Sequence, residues 1–202
     1  MRPETTAIVF QGMQRDFCAP GGKLHDLLQE QLASRNVVAL LLRLLDRASR
    51  LGVQAFFVPI EFTPDHRELR GAQGILGAIR DAGALVRNTD GARILPEFEP
   101  WLDRITVVPS KRGLCAFGTT PLDSLLKAQG IASVAVCGLL TNVCVETTAR
   151  SAFDLGYEVI LLAEVTATKT VEEQLASERY AFPLLGRVMT VDDFLTELSC
   201  PG

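Results

Sequence analysis

The sequence predicts an α/β protein built on a parallel sheet covered on both faces, and three observations carry that expectation. Apolar runs of strand length, such as 53–60 and Ser133–Leu139, lack the polar alternation of a half-exposed strand, as strands buried on both faces do. These runs alternate with helix-length amphipathic segments, the order of βαβ units. No internal repeat, low-complexity tract or linker divides the 202 residues, so a single domain over 1–202 is expected.

Taken in order, residues 7–10 read as the first strand, which runs into a polar loop holding Pro20, Gly21 and Gly22. Val38, Leu41, Leu42, Leu45 and Ala48 recur at helical spacing, and Gly52 closes that helix. Residues 53–60 form a second strand, interrupted only by Gln54, and end in the loop 61–66. The stretch 69–88 holds Gly71, Gly74, Gly77 and Gly83 and reads as part helix, part loop. Residues 104–109 are a third strand; 121–129 are a helix followed by Gly130. The fourth strand, 133–139, is almost wholly apolar, and the helix after it, 142–155, is stopped by Gly156. A fifth strand at 158–162, a helix at 171–180, a short last strand at 187–190 and a helix at 191–198 complete the chain. Crossovers in such a sheet are right-handed. Ligands bind beyond the carboxyl ends of the strands, which singles out the loops after Phe10, Pro109 and Leu139.

Composition excludes several functions. The formal net charge is -4 with both signs interspersed, and no Lys/Arg block offers a footprint for nucleic acid or anionic lipid. The start shows no signal-peptide pattern, and the longest apolar stretch, 37–45, is broken by Arg43, too short to span a membrane. A cytoplasmic protein is expected. The five cysteines, Cys18, Cys115, Cys137, Cys144 and Cys200, are odd in number and form no C-x-x-C. Neither a disulfide framework nor a structural zinc site is expected, and most of these thiols should be small buried hydrophobes. Gly21-Gly22-Lys23 lacks phosphate-loop spacing, because Phe17 stands where the first glycine belongs.

Three segments could carry chemistry. In Gly138-Leu139-Leu140-Thr141-Asn142-Val143-Cys144, a buried strand ends and Cys144 falls in the first turn of the next helix. Free N–H groups and the positive helix end favour a thiolate there and can hold an oxyanion; the plainer reading is a core cysteine. Lys111, in Pro109-Ser110-Lys111-Arg112-Gly113-Leu114-Cys115-Ala116-Phe117, follows a strand end and could project over the same edge, where a cation would activate the thiol. It could equally be a solvated loop charge. Asp16, in Gly12-Met13-Gln14-Arg15-Asp16-Phe17, could be a base, but an Asp so placed is more often a cap or turn residue.

Together these segments resemble the isochorismatase-like cysteine hydrolases, a family that includes nicotinamidases, N-carbamoyl amidohydrolases, ureidoacrylate-type amidases and isochorismatases. The likeness runs over essentially the whole chain. Met13 to Phe17 with Pro20-Gly21-Gly22 resembles the family opening, Lys111 to Phe117 its lysine segment, and Gly138 to Val145 with Glu146, Thr148 and Ala149 its cysteine segment. The resemblance implies a three-layer α/β/α fold with a six-stranded parallel sheet, in a homo-oligomer, dimer or tetramer. It implies Cys144 as nucleophile, Lys111 as triad lysine, a cis peptide before Leu140, and an oxyanion hole of the Leu140 and Cys144 amides. Phe17, Leu114, Phe117 and Leu140 would line a compact substrate pocket, with residues 61–90 over it.

Two departures stand out. The family's acid falls two positions before Gln14, and that position is Gly12, which cannot move a proton through a side chain. Such general acid–base help is worth about 10²–10⁴-fold in rate. Glu61, Asp16, a water or the substrate would have to replace it, and Gly12→Asp would be expected to raise turnover. Nicotinamidases of the family also carry Asp-x-His with further histidines, whereas this chain has only His25 and His66. No metal and no cofactor are expected. The expected function is hydrolysis of a small-molecule amide, carbamoyl or ureido C–N bond through a Cys144 thioester. The alternative is an impaired relative that binds a small molecule or a partner without turnover.

Overall fold

The computed structural model describes residues 1–200. Strand β1 (Thr6–Gln11) opens the sheet and is followed by short helices α1 (Arg15–Cys18) and α2 (Gln29–Ser34) and the long α3 (Val37–Arg50). Next come β2 (Gln54–Val58), α4 (Gly74–Asp81), β3 (Ile105–Val107) and α5 (Leu122–Ala128). After β4 (Ser133–Leu139), a π-helical turn (Thr141–Val145) leads into α6 (Glu146–Asp154) and β5 (Glu158–Ala167). Helix α7 (Val171–Ala176), a second π-helical turn (Ser177–Ala181), α8 (Phe182–Leu185), β6 (Arg187–Met189) and α9 (Val191–Ser199) finish the chain.

All six strands are parallel, in the order β3-β2-β1-β4-β5-β6. The order reverses between β1 and β4, so the crevice beyond their carboxyl ends is the switch point where such sheets place ligands. Every residue of β1 and β4 is buried, as strands covered on both faces require. Alternate residues separate into two cores. Ile8, Phe10, Phe57, Cys137 and Leu162 pack with α3 and α9 on one face. Ala7, Val9, Phe56, Val136 and Leu161 pack with α5, α6 and α8 on the other. Gly138 lets the two central strands close up at the switch point. Its φ is +105°, and a Cβ there would lie 2.1 Å from the Gln11 carbonyl oxygen, so a side chain is excluded.

The sheet and its order of elements match the expectation; several bounds differ. The fifth strand runs five residues past Leu162, because Thr166 and Ala167 pair with Gly138 and Leu139. The helix expected over 171–180 is interrupted at Ser177–Ala181. Of 69–88, Gly74–Asp81 is α-helical. Among the described residues no helix is long and apolar enough to cross a membrane.

Candidate active site

Cys144 is delivered by the end of β4. The Leu139–Leu140 peptide is cis, and the π-helical turn that follows carries the thiol at the head of α6. The Leu140 carbonyl takes the amides of Val143 at 3.2 Å and Val145 at 3.0 Å. Side chains tie this turn to its neighbours. Thr141 Oγ1 donates to Gln174 Oε1 at 2.6 Å, Gln174 Nε2 donates to Thr166 Oγ1 at 3.0 Å, and Thr168 Oγ1 donates to Asn142 Oδ1 at 2.6 Å. Thr141, Thr166, Thr168 and Gln174 are all buried. A satisfied buried network of this kind holds one geometry, since breaking any link strands a polar group.

Lys111 reaches the thiol from β3. Beyond that strand the chain keeps its pairing with β2: Val108 N–H donates to Phe57 O at 2.7 Å, and Glu61 N–H donates to Lys111 O at 3.2 Å. Lys111 Nζ then stands 3.8 Å from Cys144 Sγ, its one hydrogen-bond partner among the described residues. Lys111 is 2% exposed and Cys144 8%. An ammonium that buried is costly without an anion, and the sulfur beside it is a group able to carry that charge. The amides at the head of α6 favour the same charge on sulfur.

The other thiols are set apart. Burial, with the Glu97 carboxylate nearby, pushes the Cys18 thiol up to about 12, and burial pushes Cys137 up as well. Neither is primed as a nucleophile.

Gly12 closes the site from β1. Its φ is +72°, and a Cβ built on it would sit 2.9 Å from Leu139 Cβ and 3.0 Å from Leu139 O. The position therefore does more than lack a side chain: its backbone has turned so that Leu139 stands where a side chain would begin. Asp16 is committed elsewhere. Its Oδ2 accepts the Leu85 amide at 2.6 Å and its Oδ1 the Lys23 amide at 3.1 Å. Glu61 accepts from Arg87 Nε at 2.8 Å.

Two glutamines that the motifs did not single out as functional organise the site. Gln14 clamps β1 to the end of β2, with Ile60 N–H donating to its Oε1 at 2.9 Å and its Nε2 donating to Ile60 O at 2.9 Å and Ala92 O at 2.8 Å. Gln11 faces α6, where its Nε2 donates to Cys144 O at 3.3 Å and its Oε1 accepts from Thr148 Oγ1 at 3.2 Å. Thr148 Oγ1 in turn accepts the Ala116 amide at 2.9 Å. The available signal was a polar residue ending an apolar strand, which must find a partner once buried.

The expected pocket residues do not converge. Leu140 flanks the thiol and is buried, Phe17 belongs to the core, and Leu114 is half-buried. Phe117 stacks on Tyr157 with ring centroids 6.0 Å apart; Tyr157 precedes β5, at the amino edge of the sheet, away from the site. Glu61 lines a cleft of about 360 Å³ with Pro59, Asn88, Thr89 and Arg93. Neither Cys144 nor Lys111 lines that cleft.

The donors present do not fit a metal centre. His66 is buried, with Nε2 2.8 Å from Ala84 O, and His25 Nδ1 lies 3.4 Å from Phe17 O. Asp65 takes the Thr63 hydroxyl and pairs with Arg67. Among the described residues no three His, Cys, Asp or Glu side chains gather as ligands.

A sequence profile for the isochorismatase domain matches residues 6–193. The uncharacterized isochorismatase family protein YwoC of Bacillus subtilis is 38% identical over 109 residues, which cover 54% of this chain and 57% of that protein. The match thus spans little more than half the length of that relative. The ureidoacrylate amidohydrolase RutB of Rhizobium rhizogenes is 30% identical over 213 residues, covering 98% of this chain and 85% of that one. A crystal structure of a cysteine hydrolase from Pseudomonas syringae pv. phaseolicola superposes with a TM-score of 0.83 at 23% identity, covering 98% of this chain and 94% of that chain. At that identity the likeness speaks for the fold.

Proposed function

Because the chain belongs to the isochorismatase family, we propose that it hydrolyses a small-molecule C–N bond, of an amide, carbamoyl or ureido group, with Cys144 as nucleophile. The observation that carries the reading is the 3.8 Å approach of Lys111 Nζ to Cys144 Sγ at the switch point of the sheet. Full-length similarity to a protein named ureidoacrylate amidohydrolase supports the bond type.

The proposed steps are those of a thiol amidohydrolase. The thiolate, held by Lys111 and the amides at the head of α6, attacks the carbonyl carbon. Negative charge develops on the carbonyl oxygen, and the Leu140 and Cys144 amides receive it. Loss of the nitrogen leaves a thioester on Cys144, and water releases the acid. The burial of Cys144, Lys111 and Leu140 favours a compact substrate.

The test is incubation with a panel of small primary amides, N-carbamoyl acids and ureido acids, with mass spectrometry of the protein under turnover. Product release with an acyl group on Cys144, both lost in Cys144→Ala, is the expected result. Binding of a panel member without turnover or acylation would instead favour the impaired reading, for which Gly12 speaks.

A further inference from the structure

Gly12 leaves the reaction without its proton carrier, and we propose that Lys111 fills that role, so that Cys144 and Lys111 work as a dyad with no carboxylate. The proposal rests on the hydrolase reading above and assigns the proton path that reading leaves open.

Three observations converge. Position 12 holds no acid and has no room for one, since a Cβ would press on Leu139 at 2.9 Å. Carboxylates that could stand in for it have other work. Asp16 takes two backbone amides, and Gly91 lies so close that a Cβ there would sit 2.4 Å from the Asp16 carboxyl. Glu61 pairs with Arg87. Glu68 takes the amide and hydroxyl of Thr63 and lies 3.8 Å from Arg112. Lys111 Nζ, by contrast, has no hydrogen-bond partner among the described residues except the sulfur. Lysine in a buried site can give up and regain its proton, which arginine cannot do. A donor resting on the attacking sulfur is also within reach of a nitrogen bonded to the carbon under attack.

The step balances as follows. In the resting pair the thiol proton resides on Nζ. Sulfur forms a bond to the carbonyl carbon, and the C=O pair moves onto oxygen. As that pair returns, the C–N bond breaks, the nitrogen takes the Nζ proton, and the amine leaves. Neutral Nζ then accepts a proton from water as its oxygen bonds to the thioester carbon. Collapse of that adduct breaks the C–S bond, frees the carboxylic acid and restores the thiolate–ammonium pair.

The experiment compares wild type, Lys111→Arg and Lys111→Ala on two probes: p-nitrophenyl acetate, whose leaving group departs as an anion, and the best amide of the panel above. Lys111→Arg keeps a positive charge but cannot shuttle the proton. Read on acylation, before the deacylation that both probes share, its loss on the amide should exceed its loss in the p-nitrophenol burst from the ester by at least about 100-fold. In Lys111→Ala, methylamine should restore amide turnover in proportion to its concentration. Tetramethylammonium, a charge with no proton, should not. Equal losses on the two probes overturn the proposal, as does rescue by tetramethylammonium. So does a Lys111→Ala protein with wild-type circular dichroism that methylamine leaves inert. A wild-type protein that is acylated by neither probe overturns the hydrolase reading itself, a distinct result.

Discussion

Gln11 Nε2 donates to the carbonyl oxygen of Cys144 across 3.3 Å, joining the last residue of β1 to the peptide of the proposed nucleophile. Its other amide atom accepts from Thr148, which also receives the Ala116 amide. Three segments far apart in sequence thus meet on one side chain with no exposure to solvent. Gln11→Leu fills similar volume but leaves the Cys144 carbonyl and the Thr148 hydroxyl short of partners. Stranding buried polar groups costs about 1–3 kcal/mol each. Urea unfolding should show a loss in that range, and amide turnover should fall as the turn bearing Cys144 loosens. A variant as stable and as active as wild type would show that the bond does no positioning.

Gly12→Asp would seem to restore the family acid, and the structure argues against that. A non-glycine residue in the left-handed region costs about 1–2 kcal/mol, and forcing Leu139 aside adds about 1–3 kcal/mol of overpacking. The expected outcome is a lower Tm with no gain in turnover, read by thermal denaturation beside the amide assay. Rising turnover at undiminished Tm would mean that the β1 end relaxes to admit a carboxylate, and that the proton path runs through it.

The pattern of apolar runs revealed the sheet because burial on both faces leaves a mark in composition. Ser133–Leu139 reads to the residue, since between β1 and β5 every position is buried and all but the first, Ser133, is apolar or glycine. The extension of β5 was hidden by the polar Glu164 and Thr166 and by a register shift: after Val136 pairs with Leu161, pairing resumes only at Gly138 with Thr166 and Leu139 with Ala167. Helix α2 escaped notice because Gln29, Glu30 and Gln31 give it little apolar stripe. The break at Ser177–Ala181 precedes Pro183, which has no amide to give a helix. At the site, strand ends marked Cys144 and Lys111 as candidates. The role of Gln11 depends on a contact 133 residues away, which no local pattern carries.

Asp16 offers a test of structural against catalytic duty. Its carboxylate accepts the amides of Leu85 and Lys23, and Leu85 itself has a φ of +58°. The acid thus holds a strained backbone in place. Hydrogen bonds to a charged acceptor are worth about 1.5–3 kcal/mol each. Asp16→Ala should therefore unfold at markedly lower urea, while Asp16→Asn, which keeps one acceptor, should lose less. If Asp16→Asn were as stable as wild type but inert toward amides, Asp16 would belong to the chemistry after all.

Glu197 predicts a pH dependence far from the site. Hydrogen bonding to Arg187 and to the Met1 ammonium, aided by their charges, holds the carboxyl down at about 2 against an ordinary 4.5. A carboxyl with a lowered folded value stabilises fully above its unfolded value and loses that contribution as pH falls through the folded one. The pair is part-exposed, so solvent screening keeps its worth to roughly 1 kcal/mol or less. The stability difference between wild type and Glu197→Gln, from urea midpoints, should be constant from pH 7 to about 5. It should shrink between about 4.5 and about 2. A difference that stayed constant through that window, or grew, would show that the contacts to Arg187 and the Met1 ammonium do not favour the ionised carboxyl.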